Sequence, residues 1–194
     1  MIWKGLAVFA LIIFYSIYFG KMIAQKRKGI QTDQIAKGKE KGRRYYIELI
    51  MKIATIGIVG LEVVSILMNL SMLPDAVRIV GVSLAFIGDI IFGVAVWTMR
   101  DSWRAGIPEK DKTEMVTEGI YSISRNPAFF AFDLVYIGIL LLFFNPVLLI
   151  WSLGTILMLH LQILQEEEYL VTAFGEKYVE YRKSVGRYLG RRKC

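Results

Sequence analysis

Nine residues from Gly119 to Pro127, Gly-Ile-Tyr-Ser-Ile-Ser-Arg-Asn-Pro, gather recognition chemistry in this 194-residue sequence. Asn126 before Pro127 reads as a helix start: Asn suits the N-cap, and Pro fits the first helical position, where its missing N–H has no partner to lose. Such a start presents unpaired N–H groups and the positive end of the helix dipole. Arg125 adds a fork of donors, so an anionic ligand group such as a carboxylate is favoured there. The plainer alternative pairs Arg125 with a headgroup phosphate and leaves Asn126 as a cap alone; spacing does not choose between them.

The run Glu166-Glu167-Glu168 follows a long apolar segment. Successive helical residues fan out by about 100° each, so only one or two of these carboxylates can face inward. His160, Leu164 and Glu167 recur at i, i+4 and i+7, which puts the single histidine and one carboxylate on a single helical stripe, aimed at one interfacial cavity. His160 is either a hydrogen-bonded structural residue or a ligand. A metal site is disfavoured, because no second His or Cys stands at ligand spacing. A third set, Glu62, Asp89 and Asp133, lies within apolar runs with no Lys or Arg at comparable depth. Acids placed so face a bundle interior or a cavity, either as polar contacts between helices or as a polar path.

The elements that position these groups are membrane helices. The chain is 55% apolar with mean hydropathy +0.48, too apolar for an ordinary soluble domain of this size. The apolar run through Gly5–Gly20 approaches the roughly 20 residues that span a hydrocarbon core. Trp3, Tyr15 and Tyr18 suit interfacial anchors, and no small-x-small site suggests a cleaved leader. Ile53–Leu73 and Ile79–Met99 are the next spans, joined by a turn at Pro74–Arg78. Ala128–Phe144 and Val147–Leu164 bracket the helix-breaking Asn145-Pro146 and are expected to form a tight hairpin. Pro108, Gly106 and Gly119 break the polar stretch Arg100–Arg125. The expected fold is all-α, a polytopic membrane protein of five transmembrane helices in one domain. Residues 1–99 form its three-helix part, and 100–194 the cofactor-binding part with hairpin 128–164.

Net charge is +7. Of the 24 basic residues, 21 fall in three segments: Lys21–Tyr46, where Asp33 and Glu40 are the only acids, Arg100–Arg125, and the tail from Gln165. That bias puts these segments on the cytoplasmic side, the N-terminus outside and the C-terminus inside. It also accounts for the basicity without nucleic acid, since no basic helix with interleaved aromatics stands clear of the apolar segments. The single cysteine, Cys194, allows no internal disulfide and does not lie four from the end as a prenylation box requires. No phosphate-binding glycine loop, dinucleotide fingerprint or hydrolase triad order occurs.

The Gly-Ile-Tyr-x-x-x-Arg-x-Pro block (Gly119 to Pro127), Asn145-Pro146, the acidic run ending at Glu168, and Phe174-Gly175-Glu-x-Tyr178-x-x-Tyr181-x-x-x-Val185 together resemble the isoprenylcysteine carboxyl methyltransferase family. These integral membrane enzymes transfer a methyl group from S-adenosylmethionine to the carboxylate of a C-terminal prenylcysteine. The resemblance covers roughly the last 80 residues. It implies that S-adenosylmethionine is held by Thr113, Glu114, Met115 and Val116, by Tyr121, by Asn126, Pro127, Ala128 and Phe129, and by Glu167. By their chemistry, Glu167 is expected at the ribose or amino end of such a cofactor, Arg125 with the Pro127 helix start at its carboxylate, and Tyr121 packed over adenine or sulfonium. Three departures stand out: Asn126 where the family usually has His, Phe129 where it has Tyr, and Ile163 where it has a substrate-linked Arg.

The function so implied is methyl transfer to a lipid-borne or prenylated acceptor at the cytoplasmic membrane face, with membrane lipids as surroundings. Related enzymes that resemble this family methylate phospholipid amines or reduce sterols, so two rivals remain. One is a membrane-bound NADPH-dependent reductase, and the other a small transporter or scaffold whose intramembrane acids form the path.

Overall fold

The computed structural model describes residues 1–37, 41–107 and 113–191; Glu40, Pro108 and Cys194 lie outside them. Among the described residues the chain is all-helical, with two isolated β-bridges, Asp33 to Ala105 and Val185 to Arg191. The helices are α1 (Ile2–Arg27), α2 (Arg43–Met68), α3 (Asp75–Met99), α4 (Pro127–Leu142), α5 (Pro146–Phe174) and α6 (Glu176–Ser184), with short 3-10 turns at Arg100–Ser102 and Gly119–Ser122.

Among the described residues four helices are long and apolar enough to cross a membrane: α1, α2, α3 with its 3-10 extension, and α5. Side chains such as Phe9, Ile56, Ile90 and Ile150 are exposed on their outer surfaces, where lipid contact removes the cost of exposure. The fifth apolar helix, α4, has 16 residues, about 24 Å at 1.5 Å per residue, short of a hydrocarbon core of about 30 Å.

Several helices outrun their apolar segments. α1 continues through the basic Lys21–Arg27, and α2 begins at Arg43, well before Ile53. α5 runs past Leu164 through the acidic cluster to Phe174, because Gln, Glu and Leu are good helix formers. It stops at Gly175, whose φ of 60° lies in the left-handed region that favours glycine. α3 starts at Asp75, so the turn after α2 ends at Pro74.

The two arms of the expected hairpin, joined by a short turn at Asn145, have different main partners. α4 packs chiefly on α3, and α5 on α2. Small residues explain the first pairing: a Cβ on Gly138 would lie 2.7 Å from both the Ala85 nitrogen and the Gly81 carbonyl oxygen, so the backbones approach closely only without one. In the second pairing Gly57 leaves room for the Trp151 indole, whose Nε1 donates to the Ala54 carbonyl at 2.9 Å. Between the arms, Asn145 caps α5 by accepting from the Leu148 N–H at 3.0 Å, while its Nδ2 donates to Ser65 Oγ on α2. Phe14, Phe92 and Phe132 stack and cross where α1, α3 and α4 meet.

Glu62, Asp89 and Asp133 all face the bundle interior. Both carboxylate oxygens of Glu62 and Asp89, and Oδ1 of Asp133, have no hydrogen-bond partner among the described residues.

Candidate functional site

Polar chemistry collects at one end of the bundle, where α4 begins and α5 leaves its apolar part. Asn126 occupies the N-cap position of α4 and Pro127 its first helical position, as the sequence predicts. The Asn126 side chain does not cap, however, and no side chain does. Its Nδ2 instead donates to Glu167 Oε1 at 3.0 Å and to the Arg187 carbonyl at 3.2 Å. The expected role of Asn126 as a side-chain cap is therefore corrected: the two bonds donated by Nδ2, one to a buried carboxylate, fix the orientation of the side chain, and its oxygen takes no capping bond.

Glu167 is the centre of the cluster. Arg125 Nη2 donates to its Oε1 at 2.8 Å, and Arg187 Nη2 to its Oε2 at 3.0 Å, with Arg187 Nε 3.2 Å from both oxygens. The Glu167 and Arg125 side chains are each only 4% exposed. Two guanidiniums around one carboxylate leave the cluster with one net positive charge. The hydrogen bonds from Arg187 to Glu167 in turn hold the Arg187 guanidinium above its ordinary pKa.

The tail after α6 completes this arrangement. The Arg125 N–H donates to the Gly186 carbonyl and the Gly190 N–H to the Ile123 carbonyl. Arg125 Nη1 donates to the Arg182 carbonyl at 2.9 Å. Tyr181 Oη donates to the Tyr121 carbonyl at 2.6 Å. Burial pushes the Tyr181 hydroxyl up to about 12 and raises that of Tyr121 as well, so both stay protonated through neutral pH.

The three glutamates separate as helical geometry requires. Glu167 is buried, Glu166 is partly buried and accepts from Gln162 Nε2 at 3.0 Å, and Glu168 is exposed beside Arg44. The expected stripe is only partly realised. His160 Nδ1 lies 2.7 Å from Tyr188 Oη, next in sequence to the Arg187 that grips Glu167, whereas Leu164 is exposed and lines a different cavity.

Of the residues expected at the site, the structure brings Tyr121, Arg125, Asn126, Pro127 and Glu167 together. Ala128 and Phe129 follow in the first turn of α4, each packed against a different part of the core. Thr113, Glu114, Met115 and Val116 run beside the end of α3, where the Glu114 N–H donates to Ser102 Oγ at 3.2 Å. Ile163, where the resemblance leads one to expect arginine, is fully buried.

Sequence reasoning missed Arg187. Its only local signal is that it follows Gly186, whose backbone is closed over by the Leu189 and Gly190 carbonyls. Also missed was Glu48, which accepts from the Ala36 N–H at 2.6 Å, the Ile107 N–H at 3.3 Å and Gln162 Nε2 at 3.4 Å, tying both polar loops to α5. Beside Glu48 opens a cavity of 570 Å³ walled by Ile47, Leu161 and Leu164, with Arg43 and Arg44 on its lining.

A model of the isoprenylcysteine carboxyl methyltransferase family matches residues 79–172. The chain is 28% identical over 111 residues to a protein-S-isoprenylcysteine O-methyltransferase of Dictyostelium discoideum, covering 55% of this chain and 46% of that protein. It is 30% identical over 113 residues to the enzyme of that name from Saccharomyces cerevisiae (56% and 46% covered). It is likewise 30% identical over 113 residues to protein-S-isoprenylcysteine O-methyltransferase B of Arabidopsis thaliana (54% and 55%). The chain spans about half the length of the curated relatives it matches. Residues 79–172, just under half of the chain and holding both Arg125 and Glu167, are thus similar to the isoprenylcysteine carboxyl methyltransferase family.

Proposed function

We propose that the protein is an S-adenosylmethionine-dependent methyltransferase acting on a lipid-borne acceptor at the cytoplasmic membrane face, with a prenylcysteine carboxylate as the acceptor that its relatives' names suggest. The observation that carries this reading is the union of Arg125 and Asn126 with Glu167 across more than 40 residues of chain.

The residues present fit the cofactor. The start of α4 carries no side-chain cap, which leaves its first N–H groups and positive dipole end for a carboxylate. Glu167 and Asn126 supply polar groups for the ribose or amino end. The Tyr121 ring and the first turn of α4, at Ala128 and Phe129, offer apolar surface. Thr113 to Val116 form the outer edge of the site. Both terminal nitrogens of Arg125 are committed to Glu167 and the Arg182 carbonyl, so Arg125 acts as a positioning residue that holds Glu167.

The cofactor supplies a methyl group already activated by a sulfonium. The protein's task is then to place an acceptor oxygen in line with that carbon, at about 3 to 3.5 Å. A carboxylate acceptor is ionised at neutral pH and needs no base. The cavity beside Glu48 suits the approach of such an acceptor, because Ile47, Leu161 and Leu164 offer an apolar wall and Arg43 and Arg44 a cationic one. In the proposed topology α4 completes five crossings, and the basic bias keeps Glu167 on the cytoplasmic side.

The test is thermal unfolding of the detergent-purified protein with S-adenosylhomocysteine or NADPH, and labelling of single cysteines placed in the 28–42 loop. A rise in Tm with S-adenosylhomocysteine alone is expected, with labelling from the cytoplasmic side. A rise with NADPH alone, or labelling from outside, overturns the assignment.

A further inference from the structure

A second cavity, of 340 Å³, lies at the same end of the bundle and is lined by Arg125, Val179, Arg182, Lys183 and Arg187. Among the described residues its lining holds four cations and no acid. Glu167, behind it, offsets one charge of Arg125 and Arg187, which leaves about three net positive charges around the cavity. No ion pair joins Arg182 or Lys183 to a carboxylate among the described residues, and both are exposed on α6. Like charges gathered this closely repel one another and focus a positive potential into the concavity.

A second, independent observation points to a ligand. Arg125 is 8% exposed, and its buried Nε meets no acceptor among the described residues. A buried, unpaired guanidinium N–H costs stability unless an anion completes it.

The surroundings distinguish a membrane-borne anion from a free one. Ile123 and Leu189, 45% and 58% exposed, flank this end of the fold, and the Gly190 N–H bond to the Ile123 carbonyl holds their two segments together. Exposed aliphatic side chains beside a cationic cavity, at the foot of the apolar α4 and α5, are the pattern of a surface seated at a headgroup layer.

We propose that this cavity binds the phosphate of an anionic phospholipid headgroup, with Arg182, Lys183, Arg187 and Arg125 around it and with Ile123 and Leu189 against the acyl boundary. The lipid is neither the methyl acceptor nor the cofactor. It locks α6 and the tail onto Arg125, and so supports the Glu167 cluster from outside.

The experiment titrates the detergent-purified protein with phosphatidylglycerol, with phosphatidylcholine and with inorganic phosphate, and counts retained ligand by native mass spectrometry. The comparison protein is the double variant Arg182→Gln, Lys183→Gln, whose side chains are exposed and lie outside the proposed cofactor site. Phosphatidylglycerol should bind in preference to both other probes. The double variant should weaken it about 25-fold, at about fivefold per cation near an anionic surface, while S-adenosylhomocysteine affinity is unchanged. The proposal is overturned if the double variant holds phosphatidylglycerol as well as the parent. It is equally overturned if inorganic phosphate binds as well as the lipid, or if S-adenosylhomocysteine displaces the lipid, which would make the cavity part of the cofactor site.

Discussion

Arg187 reaches back twenty residues to grip both carboxylate oxygens of Glu167, with Nη2 3.0 Å from Oε2 and Nε 3.2 Å from each oxygen. That contact brings the tail beside Arg125 and Asn126 and makes α5, the 119–127 block and the segment after α6 a single unit. Arg125 on the opposite side completes the carboxylate's partners, so Glu167 carries more of this unit than any other side chain.

Glu167→Gln removes the counter-charge of two guanidiniums. Breaking a buried pair this way costs about 3 kcal/mol, and S-adenosylhomocysteine affinity should fall about tenfold or more, as expected for a lost charged hydrogen bond. Glu166→Gln keeps a polar group facing Gln162 and should cost less than about 1 kcal/mol. Thermal unfolding and calorimetric titration of both variants provide the comparison; equal losses at the two positions would reject the central role of Glu167.

Gly138→Ala tests the α3–α4 seam. The added Cβ would meet the Ala85 nitrogen and the Gly81 oxygen at 2.7 Å, and both are backbone atoms that cannot swing aside. A loss of about 1 to 3 kcal/mol is expected for such overpacking, seen as a lower Tm. Gly154→Ala on α5, where a Cβ would meet nothing within 4 Å, should leave Tm unchanged or raise it. The argument fails if the two variants behave alike.

Ile163 lies one helical turn before Glu167, where the resemblance implies a substrate-linked arginine, and it is fully buried. The parent protein should methylate a farnesylated cysteine analogue more slowly than an Ile163→Arg variant, because the acceptor carboxylate then has only the cations of the cavity wall, Arg43 and Arg44, to meet it. Ile163→Arg should raise turnover of the analogue and lower Tm, because the new guanidinium enters an apolar site and competes with Arg125 and Arg187 for Glu167. Robust turnover by the parent would show that the carboxylate is held by other groups.

The helical class, the apolar segments and the break at Asn145-Pro146 follow from the sequence alone, because run length, proline placement and capping act within a few residues of chain. The same locality makes apolar boundaries a poor guide to helix ends: α5 carries on to Phe174 through Gln and Glu, since losing hydrophobicity does not end a helix, whereas Gly175 does. The sequence also marks Arg125, Asn126 and Glu167 as candidates, through residue type and helical spacing. What tertiary structure alone decides is which groups meet. Close approach at Gly81 and Gly138 sends α4 to α3, a buried carboxylate draws Asn126 away from capping, and Arg187 arrives from a tail segment whose local pattern carries no sign of Glu167. Such pairings are set by packing between segments distant along the chain, and no periodicity within one segment encodes them.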